Sequence, residues 1–192
     1  MSDPTSDQIP STVLRQEHQT ILRVIAVLES LVERAESAES FNAEALGKCV
    51  AFFQLFADAC HHAKEEDLLF PVLESRGVPN EGGPIGVMLY EHTVARGLVK
   101  QMGQALSVLD NQPDQAVEQF KDAAHKYISL LRQHIDKEDG ILFHMADRVM
   151  HEEDQRTLCS QFCEVGCRSF GGKTREELQR LADELESRHA TS

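Results

Sequence analysis

Tryptophan is absent from the chain, tyrosine occurs only twice, and 11 glycines and six prolines are few for 192 residues. Little aromatic content argues against an extensive sheet, and few turn formers argue for a small number of long elements. Alanine, leucine, glutamate, glutamine and arginine dominate instead, so the first expectation is an all-α protein. No run reaches the roughly 18 apolar residues of a membrane span, and the polar, acidic stretch Met1 to Pro10 lacks the apolar stretch of a secretion signal. A cytoplasmic location is expected. No basic stripe interrupts a formal net charge of −13, which disfavours nucleic acid and anionic membrane surfaces as partners. Five cysteines, an odd number without a secretion signal, are expected to be reduced thiols.

What is present is periodic. Leu14, His18, Ile21, Ile25, Leu28 and Val32 fall on one face of a helix expected from about Ser11 to Glu36. A second stripe, Leu46, Val50, Phe53, Ala57, His61, Glu65 and Leu68, runs from Phe41 onward, and Pro71 is expected to close that helix soon after Leu68. The Gly- and Pro-rich "ESRGVPNEGGPIG" reads as the one long loop, followed by a helix from about Pro84 to Leu109 with Ile85, Met88, His92, Ala95, Val99, Met102 and Leu106 inward. A fourth helix begins at Pro113 or Asp114, ends near Asp147, and has the stripe Phe120, Ala124, Tyr127, Leu131, His134, Glu138 and Ile141. Two shorter amphipathic helices flank Gly171 and Gly172. The expectation is an up-down-up-down four-helix bundle over residues 11–150, preceded by a disordered tail at 1–10 and followed by a helical extension at 151–192.

The apolar stripes are interrupted by His18, His61, Glu65, His92, His134 and Glu138, with every long helix contributing. In the pairs His61/Glu65 and His134/Glu138 the partners are four apart, so both side chains leave one helix face about 6 Å apart along the axis. In an antiparallel bundle all six groups fall roughly 9 to 14 Å from the same end. One histidine on an apolar stripe is ordinarily a satisfied core residue; six such groups at one height need opposite charge to be buried together. Divalent cations supply it. The set is too large for one tetrahedral zinc and divides over two octahedral first-row ions with bridging carboxylates, which favours two irons, with manganese or zinc as substitutes. The Glu-x-x-His pairs of ferritin-type bundles are missing from the core faces.

These residues resemble a known family, the hemerythrin-like HHE cation-binding domains. The carriers are "EH" at 17–18, "CHHAKEEDLLFP" at 60–71, "GGPIGVMLYEH" at 82–92 and "HIDKEDGILFHMAD" at 134–147, in the family's order. The resemblance implies a four-helix bundle around a non-haem di-iron centre, with ligands carried over to His18, His61, Glu65, His92, His134 and Glu138. Oxygen-carrying members use a further histidine one turn beyond the first on the third helix. Here that position is Arg96, which cannot ligate, so Glu91, Glu17, His62, Tyr127 or water must replace it, and this argues against reversible oxygen carriage. Bacterial relatives are linked to iron handling, nitric oxide or peroxide responses and iron-sulfur repair.

Other residues receive plainer readings. His62, about 100° round the helix from His61, is expected to face solvent, and Glu66 and Asp67 to form a solvated face; the alternative, in which His62 and Glu66 chelate instead of His61 and Glu65, fits the stripe less well. Arg96 holds either an outer carboxylate or an ordinary surface partner, and Tyr127 reads as a core tyrosine. Cys159, Cys163 and Cys167 recur every four residues and read as small buried hydrophobes, or else as a redox or soft-metal stripe; Cys60 is expected to be buried. No Ser, Lys or Cys-His arrangement for nucleophilic catalysis is present. The functional expectation is a di-iron protein that binds or senses a small molecule (oxygen, nitric oxide or peroxide) or iron. Its rivals are a di-iron oxidoreductase or iron donor in repair, and a zinc-stapled structural bundle.

Overall fold

A computed structural model describes residues 9–35 and 40–189. The expected end of the first helix at Glu36, most of the tail at 1–10 and the last three residues lie outside them. Among the described residues the chain forms six helices and no strand, apart from one isolated bridge between Phe170 and Lys173. Helix α1 spans Pro10–Arg34. Helix α2 is continuous through the segments Ala43–Phe52, Phe53–His62, Glu65–Leu69 and Phe70–Ser75. Helix α3 spans Pro84–Ser107, and α4 runs through Pro113–Lys137, Glu138–Leu142 and Phe143–Val149. Helices α5, Glu152–Gly166, and α6, Arg175–His189, complete the fold. None is long and apolar enough to cross a membrane.

Three starts follow proline chemistry: Pro10, Pro84 and Pro113 occupy first turns, where a missing N–H costs nothing. Asn42 caps α2 by accepting from the Ala45 N–H at 3.1 Å. The turn between α5 and α6 uses Gly171 and Gly172 at φ 56° and 81°, a region that favours glycine.

The inner segments of α2 and α4 depart from the α-helix. Phe53–His62, Glu65–Leu69 and Glu138–Leu142 are π-helical. The N–H groups of Ala63, Phe70 and Phe143 accordingly reach the carbonyls of Asp58, Glu65 and Glu138, five residues back. Each wider turn delays the inward stripe by one residue. Ile141, expected inside, is 59% exposed while Leu142 is buried; likewise Leu69 rather than Leu68 fills the core. Pro71 does not end its helix promptly either. It follows the π turn and starts a last α segment that reaches Ser75.

The interior holds two apolar clusters. The larger includes Ile21, Ile25, Phe53, Phe56, Ala57, Ala95, Phe120, Tyr127 and Leu131; the smaller includes Leu14, Leu69, Phe70, Met88, Leu142, Phe143 and Phe162. On every long helix the passage from one cluster to the other is made by the polar residues singled out above: His18 between Leu14 and Ile21, His61 and Glu65 between Ala57 and Leu69, His92 between Met88 and Ala95, His134 and Glu138 between Leu131 and Leu142. A buried polar layer thus separates two dry regions.

Candidate metal centre

All six of those residues are at most 1% exposed. A seventh joins them. His62 is 3% exposed, against the expectation of a solvent-facing side chain, because i→i−5 bonding places successive residues less than the usual ~100° apart, so His61 and His62 both point inward. The seven form two overlapping groups, His18, His61, Glu65 and Glu138, and His62, Glu65, His92 and His134; within each, one potential donor atom per residue lies within 4.8 Å of the others. Glu65 belongs to both, with Oε1 3.4 Å from His61 Nε2 and Oε2 3.5 Å from His92 Nε2. Glu138 Oε2 lies 3.2 Å from His18 Nε2 and 3.3 Å from His134 Nε2.

Most of these approaches are not hydrogen bonds; His92 Nε2 and His134 Nε2 do share one, at 3.1 Å. His18 Nε2, His61 Nε2 and all four oxygens of Glu65 and Glu138 are buried without a hydrogen-bond partner. Polar atoms are rarely left so, and leaving them so costs several kcal/mol for each charged group (~1–3 even for neutral ones). They aim into shared spaces between the groups. A cation at each would satisfy them, and the donor set of imidazoles and carboxylates suits first-row divalent ions.

The outward nitrogens follow one rule, each with a carboxylate on its Nδ1 side. His18 Nδ1 meets Asp139 Oδ1 at 2.9 Å, His61 Nδ1 meets Glu17 Oε2 at 3.0 Å, His92 Nδ1 meets Glu66 Oε1 at 2.6 Å, and His134 Nδ1 meets Glu91 Oε2 at 2.9 Å. His62 Nδ1 has Asp58 Oδ1 at 3.4 Å, too poorly aligned for a hydrogen bond. Such carboxylates hold the imidazole Nδ1–H and leave Nε2 as an inward acceptor. Cations brace them in turn: Lys64 and Arg175 contact Glu17, Arg96 contacts both Asp58 and Glu66, Lys137 contacts Glu91, and Arg15 flanks Asp139. Glu66 is therefore a support of the layer and not part of a solvated face. Glu17 and Glu91, candidates for replacing a missing ligand, support His61 and His134 from outside, and Tyr127 packs its ring on Phe53 at 4.8 Å.

Aromatic rings wall the layer: Phe143 stacks on His18 with centroids 5.5 Å apart, Phe70 on His92 at 6.0 Å, and the rings of His62 and His92 stack at 3.8 Å. The thiol positions are mixed. Cys60 and Cys159 are buried as expected, whereas Cys163 and Cys167 are exposed, so the reading of all three stripe positions as buried hydrophobes fails at the end of α5.

Electrostatic influences within the layer are opposed. Burial raises Glu65 well above the usual carboxylate range, reinforced by the neighbouring charge of Glu138. Burial drives His61 down to about 4, more than Glu17 can restore. For His18 burial also opposes charge, but Asp139 and Glu138 outweigh it and raise the ring to about 9. The pH dependence follows with opposite signs. His61 contributes stability that is present above its ordinary 6.5 and is lost as pH falls towards about 4; His18 contributes stability that is full below 6.5 and is lost as pH rises through about 9. Urea midpoints of the chelator-treated protein should therefore peak near pH 6.5 and fall on both sides; a midpoint that climbs steadily from pH 4 to 9 would contradict this.

The chain matches the hemerythrin HHE cation binding domain over residues 9–146, most of its length, and belongs to that family. Among curated proteins, the uncharacterized protein Rv1995 of Mycobacterium tuberculosis H37Rv is 24% identical over 173 residues, which cover 88% of this chain and 67% of that protein. The iron-sulfur cluster repair protein YtfE of Musicola paradisiaca is 30% identical over 159 residues, 76% of this chain and 67% of that protein. No solved structure gives a significant match.

Proposed function

We propose that the polar layer is a dinuclear non-haem iron centre that binds a small molecule, oxygen, nitric oxide or a peroxide. The carrying observation is the cluster of inward groups that are buried with no hydrogen-bond partner among the described residues: His18 Nε2, His61 Nε2 and the oxygens of Glu65 and Glu138. In this reading His18, His61, Glu65 and Glu138 hold one cation, and His62, His92, His134 and Glu65 hold the other, with Glu138 also within reach. His62 fills the place that Arg96 cannot. The group with His18 and His61 offers two imidazoles against three in the other, so a cation held there would be the one with room for a small molecule.

Bound iron supplies a Lewis-acidic, redox-active centre. The chain supplies the rest. Asp139, Glu17, Glu66 and Glu91 fix the imidazoles so that Nε2 faces inward, and the surrounding arginines and lysines hold those acids in place. Phe143 and Phe70 exclude bulk water from the layer.

The likeness to an iron-sulfur cluster repair protein favours a second reading, an oxidoreductase or an iron donor in repair. Purified protein loaded with ferrous iron anaerobically should hold two irons per chain, and its optical spectrum should change on adding air, peroxide or nitric oxide. Stoichiometric, reversible change marks a binding or sensing protein; sustained consumption of peroxide or nitric oxide marks the enzyme. A colourless protein that keeps zinc and takes up no iron would overturn both and leave a structural role.

A further inference from the structure

A second place where reactive side chains converge lies where α1, α2, α5 and α6 meet. Cys159, Cys163 and Cys167 line a cavity of about 310 Å³ together with Glu17, Lys64 and Arg175. Arg175 and the cysteines belong to the part of the chain beyond the family match, yet Arg175 reaches the layer's supports: its Nε donates to Glu17 Oε1 at 3.3 Å, and Glu17 Oε2 accepts from His61. Among the described residues the terminal nitrogens of Arg175 make no hydrogen bond. Lys64, 1% exposed, donates to the same Glu17 oxygen and lies 5.9 Å from the centroid of the Phe162 ring. Glu176 also lines the cavity.

The thiols cannot pair within their helix. Residues four apart have Cβ atoms about 5–6 Å apart, beyond the ~3.5–4.5 Å of a disulfide. Any disulfide formed here must therefore reach outward. Cys159 is buried and Cys167 caps α5, where the negative end of the helix opposes a thiolate. Cys163 remains: it is exposed, follows Phe162 beside Lys64, and precedes by one turn Gly166, whose Cα side faces the Arg175 stem, 3.5 Å from where a Cβ would stand.

We propose that this cavity takes a low-molecular-weight disulfide carrying carboxylates, which forms a mixed disulfide with Cys163. The Cys163 thiolate attacks one sulfur of R–S–S–R; the new Cys163–S–S–R bond forms as the old S–S bond breaks, and the departing R–S⁻ takes up the proton that Cys163 gave up. The co-reactant is thus the disulfide itself. A carboxylate of the adduct pairs with the open fork of Arg175 and draws it from Glu17, which loosens the support behind His61. This last consequence rests on the metal reading; adduct formation does not.

The test uses full-length protein, with and without iron, and compares oxidised glutathione with the uncharged 2-hydroxyethyl disulfide by intact mass and peptide mapping. One adduct per chain is expected on Cys163, abolished by Cys163→Ser. Oxidised glutathione should show a roughly tenfold rate advantage that Arg175→Gln removes, after correction for the two reagents' intrinsic reactivity towards a small thiol. In the iron-loaded protein the adduct, or Arg175→Gln alone, should speed iron loss to a chelator about tenfold. No adduct, an adduct confined to Cys167, or equal corrected rates would overturn the site. An adduct at Cys163 that leaves iron loss unchanged would overturn the coupling. A chain that binds no iron yet forms the adduct would contradict the metal reading while sustaining the thiol site.

Discussion

On the dinuclear reading proposed above, Glu65→Ala should cost the protein both cations at once. Its two oxygens face different histidines, His61 at 3.4 Å and His92 at 3.5 Å, and it is common to both donor groups. Removing one imidazole, as in His62→Ala, takes a donor from one group only, so that variant should keep the cation at His18 and His61. The contrast is the measurement: metal per chain near zero for Glu65→Ala, and about half the full complement for His62→Ala. His61→Ala combined with His134→Ala, which takes one imidazole from each group, should match Glu65→Ala. Helix content should persist in all three, since alanine favours helix and loss of a buried, unpartnered carboxylate removes a desolvation penalty. Retention of both irons by Glu65→Ala, with circular dichroism unchanged, would refute Glu65 as a residue needed by both sites.

A large loss of stability is expected from Glu17→Ala. Glu17 is 1% exposed, and its carboxyl has to overcome its own burial; the hydrogen bond with His61 and the charge of Lys64 do so and hold it at about 2. Its removal leaves the buried Lys64 ammonium without its anion and His61 without its support. Breaking a buried pair from one side costs about 3–5 kcal/mol. Removing both charges is different: Glu17→Ala with Lys64→Met leaves neither member of this pair stranded, and methionine keeps the contact with Phe162, so most of the loss should be regained. Urea unfolding of the two variants and the parent decides it. A single variant as stable as the parent, or a double variant no better than the single, would show that the pair does not act as described.

The inward donors were legible because a helix repeats every 3.6 residues, and polar residues that occupy an apolar stripe stand out. That period also set the limit. His62 and Ile141 were assigned to the wrong faces since the stripe was followed at α-helical spacing through segments whose hydrogen bonds span five residues. No property of single residues announces such a turn. The carboxylates behind the histidines left a trace that stripes do not test: Glu17 precedes His18, Glu66 follows Glu65, Glu91 precedes His92 and Asp139 follows Glu138. Each acid is adjacent to one inward residue and serves a histidine of a different helix or segment. The role of Arg175 was not legible, because it depends on where a loop returns α6 to the side of α1.

That neighbouring placement has a mechanical consequence. In α1 and α3, a donor and the brace for another helix's donor are consecutive residues, His18 with Glu17 and His92 with Glu91. Sliding either helix by a single turn would carry off its own imidazole and, in the same movement, strand a partner's. The layer therefore works as a set of interlocked teeth, and adjustments of the cage are confined to the rim, where arginine and lysine can let go without the shafts moving.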